Sequence, residues 1–106
     1  MTDYKNQKCI IRTNRAGVFF GTLADYDRTT RTVELHNTRR LWYWDGAASL
    51  SQLAVEGVKK PQNCKFTIVV PQMQVEEVIE IIPCTEVAVK NIEEVTVWKQ
   101  VAVWKK

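Results

Sequence analysis

Short runs of β-branched and aromatic residues, each closed by a turn signal, constrain the fold of this chain most strongly. The first half contains four such runs, at residues 8–13, 18–26, 31–36 and 39–44. Asn14 and Gly17 mark the first turn, because both residue types tolerate a positive φ. Gly21, inside the second run, predicts a bulge or a close backbone approach. Connections this short join antiparallel neighbours, so the first half is predicted to form a β-meander.

The second half is predicted to add two short helices and further strands. Ser49 and Thr85 can cap helices over 49–56 and 86–94. A strand is predicted at residues 65–70, and Pro71 is expected to end it. A further strand is predicted at residues 75–82, where the spacing of apolar residues also fits a helix but the β-branched residues favour a strand. A chain of 106 residues can build one core. The predicted fold class is α+β: an antiparallel β-meander of about six strands with two short helices, in a compact single domain over residues 1–106.

The two ends of the chain differ in character. Residues 1–7 are polar and are expected to be frayed. Residues 95–106 form a hydrophobic tail with Trp98 and Trp104, which is expected to dock on its own sheet or on a neighbouring subunit. No apolar run approaches the roughly 18 residues of a membrane helix, and the N-terminus lacks the apolar core of a signal peptide. A cytoplasmic protein with no membrane partner is therefore expected.

Catalytic chemistry has little support in the sequence. His36 is the single histidine, and no nucleophile has a neighbouring base at a recognisable spacing. Cys9, Cys64 and Cys84 are widely separated, which is typical of reduced, buried thiols and not of a metal site. No phosphate-binding glycine loop is present. The sequence therefore predicts no enzyme activity, no catalytic residue, no metal site and no cofactor.

Binding chemistry concentrates in residues 38–58, where arginines, three aromatic residues and a capped helix start follow one another. Alternation in a strand places Arg40, Trp42 and Trp44 on one face and Arg39 on the other. Indole rings can stack on a base, guanidinium groups can hold phosphate, and a helix start offers N–H donors. The neighbouring strand and loop add second-tier candidates. The candidate ligand-binding residues are Arg39, Arg40, Trp42, Trp44, Ala48, Ser49, Phe19, Phe20 and Arg28.

Two interpretations of these residues stay open. In one, the aromatic rings belong to the core and the arginine stems lie over them. In the other, an accessible aromatic and guanidinium surface lies beside the helix start. All six arginines precede residue 41, so an anion site is expected to draw mainly on the first half of the chain.

The chain resembles a family of small, largely uncharacterised bacteriophage proteins. The resemblance rests on A-G-V-F-F-G (16–21), R-R-L-W-Y-W-D-G-A-A-S-L-S-Q-L-A-V-E-G-V (39–58), E-V-I-E-I-I-P-C-T-E (77–86) and I-E-E-V-T-V-W-K (92–99). By a looser analogy of size and composition, it is similar to phage anti-defence sponges such as Thoeris anti-defence one. Those sponges oligomerise and trap cyclic nucleotide or cyclic ADP-ribose signals without cleaving them.

The leading hypothesis is a phage-type anti-defence protein that sequesters a small phosphorylated nucleotide signal in pockets at a homo-oligomer interface. The first alternative is a protein-interaction module that inhibits or modulates a host protein, with the tryptophans as hot spots. The second alternative is a single-stranded nucleic-acid binder. The net charge of only +3 and the acidic segment 76–94 argue against nucleic acid as a partner.

Overall fold

The computed structural model describes residues 4–99, which fold into one antiparallel sheet and two helices. The elements in chain order are β1 (Lys8–Thr13), β2 (Val18–Asp27), β3 (Thr32–Tyr43), α1 (Leu50–Glu56), a 3-10 turn (Pro61–Asn63), β4 (Lys65–Phe66), β5 (Val70–Val75), β6 (Val78–Pro83) and α2 (Glu86–Glu94). The predicted α+β class, the meander and the single compact domain are confirmed. No helix among residues 4–99 is long and apolar enough to cross a membrane.

The third and fourth predicted strands are one continuous strand, β3. The predicted break between these strands lies at Asn37, which adopts a left-handed φ of 52°. The strand continues through Asn37 with a β-bulge. On the partner strand the register shifts between Phe20 and Thr22, at Gly21, where the sequence predicts a bulge. A Cβ at Gly21 would lie 2.6 Å from Thr38 Oγ1. Glycine here is required by the close approach of β3.

The predicted strand at 65–70 is interrupted, and the boundary at Pro71 is wrong. β4 ends at Phe66, and Pro71 lies inside β5. Proline is tolerated there because β5 pairs with β3 on one side only, so its missing N–H can face away from the sheet. Val75 ends β5, and β6 begins at Val78, which divides the predicted 75–82 strand between two elements.

The sheet curls until its two edges meet at one end. The sheet has the order β4-β3-β2-β1-β6, with β5 also on β3, so β5 and β6 lie at opposite sides of the meander. Only residues 76–77 join them. Val78 N–H donates to Arg31 O at 3.0 Å, and Asn14 N–H donates to Glu77 O at 2.9 Å. The result is a small, partly closed barrel.

The curl separates two hydrophobic clusters. The inner cluster lies on the concave side and contains Cys9, Ile11, Phe19, Leu23, Val33, Leu35, Val75 and Val78. The outer cluster lies between the sheet and the helices and contains Ile10, Phe20, Leu41, Leu53, Ala54, Val58, Cys64, Phe66, Ala88, Ile92 and Val95. Both predicted helix caps are confirmed, since Ser49 Oγ accepts from Gln52 N–H and Thr85 Oγ1 accepts from Ala88 N–H.

The described parts of both ends pack on the sheet. Of the segment that is predicted to be frayed, residues 1–3 lie outside the described residues. Within residues 4–7, Asn6 N–H donates to Leu23 O and Gln7 O accepts from Leu23 N–H. Residues 4–7 thereby extend the contact of β1 with β2. At the other end Val97 forms a parallel bridge with Phe66, and Trp98 N–H donates to Phe66 O. The rest of the predicted docking tail, residues 100–106, lies outside the described residues.

Candidate functional site

Arg39, the first predicted phosphate ligand, is a core residue and is not available to a ligand. Its side chain is 2% exposed, because β3 turns it toward the helices. Nε donates to Thr67 O at 2.8 Å, Nη1 to Ile92 O at 2.8 Å and Nη2 to Phe66 O at 3.1 Å. Burial lowers the pKa of the Arg39 guanidinium. This guanidinium ties β3 to the chain after β4 and to the end of α2.

Three predicted aromatic residues are also placed in or against the core. Phe19 is 1% exposed and Phe20 is 2% exposed, and they lie in the inner and outer clusters respectively. Trp44 is half-buried against the outer cluster. Because β3 ends at Tyr43, the alternation that would have kept Trp44 beside Trp42 does not continue. For these residues the core interpretation is correct.

One of the predicted donors at the helix start is already engaged. Ala48 N–H donates to Gln52 Oε1 at 2.7 Å, and Gln52 N–H donates to Ser49 Oγ at 3.1 Å. The arrangement resembles a capping box, except that the Gln52 side chain accepts from the residue before the N-cap and not from the N-cap itself. Ala48 and Ser49 are exposed, but their local role is to start α1.

Arg40 and Trp42 remain accessible and share one face of β3, as predicted. Trp42 is 64% exposed, and the Arg40 guanidinium carbon lies 4.7 Å from the centre of the Phe19 ring. Lys65 lies on the neighbouring strand β4, and Trp98 lies on the segment beside β4 on its other side. The Lys65 ammonium is 5.4 Å from the centre of the Trp98 ring. We refer to Arg40, Trp42, Lys65 and Trp98 as the indole face.

Arg28, the remaining predicted residue, lies at the other end of β3, in the turn that precedes it. There it borders a cavity of about 560 Å³. The cavity is lined by Tyr4, Lys5, Leu23, Asp25, Tyr26, Arg28, Val78, Ile79, Glu80 and Ile81. Leu23 and Val78 belong to the inner cluster, so the cavity opens from the concave side of the curled sheet. We refer to it as the barrel cavity.

The barrel cavity combines aromatic walls with a charged rim. Tyr4 and Tyr26 pack against the inner cluster, and Lys5 and Arg28 are exposed at the edge. Glu80, also at the edge, accepts a hydrogen bond from Arg12 Nε at 3.1 Å. Apart from Arg28, none of these residues was predicted to bind a ligand. Tyr26 is the last residue of the second predicted strand, but only the curl of the sheet brings β6 opposite it.

The remaining titratable and thiol side chains of residues 4–99 form no cluster with the composition of a metal or catalytic site. No group of three or more His, Cys, Asp and Glu side chains there could hold a metal ion. His36 Nε2 pairs with Glu34 Oε2 at 2.9 Å on the sheet surface, and this contact, with a hydrogen bond from Gln72, lowers the pKa of Glu34. Burial raises the pKa of Cys9 to about 11 and that of Cys84 to about 12, so both thiols stay protonated.

Comparison with known proteins identifies a family but no activity. No curated protein matches the chain. A family model described as a domain of unknown function (DUF6948) matches residues 6–92. Because that match covers most of the chain, the protein belongs to the DUF6948 family.

Proposed function

We propose that this protein binds and sequesters a small phosphorylated nucleotide in the barrel cavity and releases it uncleaved. The single observation that carries the proposal is the cavity itself, in which two tyrosine rings and two cationic side chains meet. The proposal keeps the predicted function and the predicted contribution of Arg28. It moves the binding site away from Arg39, Trp44 and the start of α1, where the side chains are engaged internally.

The size and position of the cavity support a small-molecule ligand. Its volume of about 560 Å³ falls within the range of roughly 300–1,000 Å³ that is usual for ligand pockets. The mouth of a β-barrel is a frequent ligand site, because the curled sheet supplies a rigid apolar floor. Here Leu23 and Val78 form that floor.

The side chains at the cavity match the three parts of a nucleotide. The phenol rings of Tyr4 and Tyr26 offer flat surfaces on which a base can stack. Lys5 and Arg28 supply positive charge for phosphate. Asp25 can accept hydrogen bonds from ribose hydroxyl groups, as acidic residues do in other nucleotide sites.

The lining of the cavity contains carboxylates, tyrosines and a lysine but no histidine, cysteine, serine or threonine. Carboxylate, tyrosine and lysine side chains can also act in acid–base catalysis, so recovery of the ligand unchanged is a part of the proposal that the binding screen tests. The resemblance to phage proteins supports a role as a sponge for a nucleotide immune signal. A single chain forms the cavity, and the predicted homo-oligomer stays a prediction that light scattering with and without ligand can test.

The experiment is a binding screen by calorimetry and native mass spectrometry with cyclic dinucleotides, cyclic trinucleotides and cyclic ADP-ribose isomers. We expect one of these classes to bind and to be recovered unchanged after heat release of the ligand. Tyr26→Ala and Arg28→Glu should each weaken binding at least tenfold, whereas the matched variants Trp42→Ala and Arg40→Gln should bind normally. Failure of every compound to bind would refute the proposal, and loss of binding only in the matched variants would place the site elsewhere.

A further inference from the structure

We propose that the indole face binds single-stranded nucleic acid, at a site separate from the barrel cavity. The proposal rests on the arrangement of Trp42, Lys65 and Trp98 and does not depend on the proposed nucleotide ligand. Neither Trp98 nor Lys65 was among the predicted binding residues. The tertiary fold brings them to the end of β3 through β4, where Lys65 is the register partner of Tyr43, the residue that follows Trp42.

The face presents two indole rings to solvent with a cation between them. Trp42 is 64% exposed and Trp98 is 46% exposed. Trp42 lies on β3 and Trp98 lies on residues 97–98, and β4 lies between these two segments. Neighbouring strands lie about 4.8 Å apart, so the backbone segments that carry the two rings lie roughly 10 Å apart across the sheet. That spacing leaves room for bases to stack on each ring while Lys65 meets the backbone between them.

The cations of the face are not paired with a carboxylate of the described chain: among residues 4–99, no Asp or Glu side chain forms an ion pair with Arg40 or Lys65. Arg40 Nη1 donates only a long bond of 3.3 Å to Ala16 O, leaving other guanidinium N–H groups for an acceptor. Unpaired guanidinium and ammonium groups beside aromatic rings match a phosphate backbone in charge.

The acidity of segment 76–94 opposes nucleic acid less strongly in the folded protein. Three of its six glutamates are paired with cations of the first half, in the pairs Arg15–Glu77, Arg12–Glu80 and Lys8–Glu93. The charge of these three is balanced locally. Arg40 borders a cavity with Glu76 and Glu77, so Trp42, Lys65 and Trp98 are the part of the indole face that lies away from carboxylates.

The chemistry of the face favours nucleic acid over a protein partner. The cores of protein interfaces are depleted in lysine, because its ammonium is costly to desolvate. Here Lys65 lies within the aromatic surface. Surfaces that bind single strands without sequence preference combine these two features, aromatic stacking and backbone cations.

The test is fluorescence anisotropy with labelled 15-nucleotide oligo(dT) and oligo(U) and the full-length protein. We expect binding that weakens about sevenfold between about 50 and 200 mM salt, the value for two phosphate contacts on a single strand. Trp42→Ala and Trp98→Ala should each weaken binding by about 5- to 150-fold, the range for loss of one stacked base. Lys65→Glu should weaken binding and reduce the salt dependence.

The control is Tyr26→Ala, which removes an aromatic ring from the barrel cavity at the other end of the sheet. It should bind oligonucleotides like the wild type. Tyr43 is unsuitable as a control, because it is the register partner of Lys65 on β4 and is 51% exposed beside the face. Absence of binding, equal binding of a duplex, or equal effects of Tyr26→Ala and Trp42→Ala would overturn the proposal. Capture of a host protein through Trp42 with no oligonucleotide binding would likewise overturn it. If the protein bound a nucleotide but no oligonucleotide, this inference would fail and the proposed nucleotide-binding function would be unaffected.

Discussion

Replacing Arg39 by methionine provides a sharp test of how this fold is held together. The guanidinium is 2% exposed and donates to three backbone carbonyls, those of Phe66, Thr67 and Ile92. No carboxylate among residues 4–99 forms an ion pair with it. The variant keeps most of the apolar stem but removes every one of these donors.

The expected loss in free energy of unfolding depends on the hydrogen-bond partners that these carbonyls keep in the variant. Phe66 O still accepts from Trp98 N–H, and Ile92 O still accepts from Val95 N–H at 3.3 Å. Hydrogen bonds from a charged donor contribute about 1.5–3 kcal/mol each. The remaining backbone bonds and relief of the buried charge offset part of that loss. We expect Arg39→Met to lower the free energy of unfolding by about 3 kcal/mol, or the Tm by roughly 12–20 °C.

The assay is urea unfolding followed by tryptophan fluorescence, with far-UV circular dichroism to confirm the native fold. Arg40→Met is the matched control, because the adjacent guanidinium is half-exposed and donates only to Ala16 O. It should change the free energy of unfolding by no more than about 1 kcal/mol, as is usual for surface positions. If Arg39→Met were as stable as Arg40→Met, the three buried hydrogen bonds would not be stabilising, and the reasoning would fail.

Three further predictions concern the sheet, acid stability and the thiols. Gly21→Ala should cost about 2 kcal/mol, because its Cβ would meet Thr38 Oγ1 at 2.6 Å. A hydrogen bond from the Arg15 guanidinium lowers the pKa of Glu77 in the folded protein. The stabilisation that this ion pair gives to the fold is therefore complete above the ordinary glutamate pKa of about 4.3, and it is lost as the pH falls through the lower pKa of the folded state. Glu77→Gln should therefore lose less stability than the wild type on acidification in urea titrations. Cys9 and Cys84, with pKa values raised to about 11 and 12, should resist Ellman's reagent at pH 8 and react fully in urea.

Each of these predictions has its own check. Thr38→Ala combined with Gly21→Ala should recover part of the lost stability, since it removes the hydroxyl that meets the new methyl group. Purely additive effects would argue against the contact. If the free energy of unfolding of Glu77→Gln fell with pH in parallel with that of the wild type, the Arg15–Glu77 pair would not contribute to acid stability. Fast labelling of the native protein would mean that the thiols are less protected than their burial indicates.

The local features of this fold could be read from the sequence. The two helices, their caps at Ser49 and Thr85 and the meander of the first half depend on residues close together in the chain. Turn residues, caps and the two-residue alternation of strands act over that short range. The close backbone approach at Gly21 belongs to the same class, because only glycine lets the bulged backbone of β3 come so near.

The site depended on contacts between distant parts of the chain. Alternation along β3 predicts that Arg39 and Arg40 point to opposite faces, but not that α2 covers the first of these faces. Burial of Arg39 was decided by packing of α2, more than 50 residues away. Likewise, Tyr26 and Ile81 line one cavity only because the sheet curls and brings β6 opposite the end of β2. The sequence by itself determined the two helices with their caps and the meander of the first half, since those preferences are local, whereas the strand boundaries after residue 64 depended on pairing with β3 and β1. The tertiary structure alone decided which aromatic rings and cations face solvent together, because closure of the sheet and packing of the helices set their exposure.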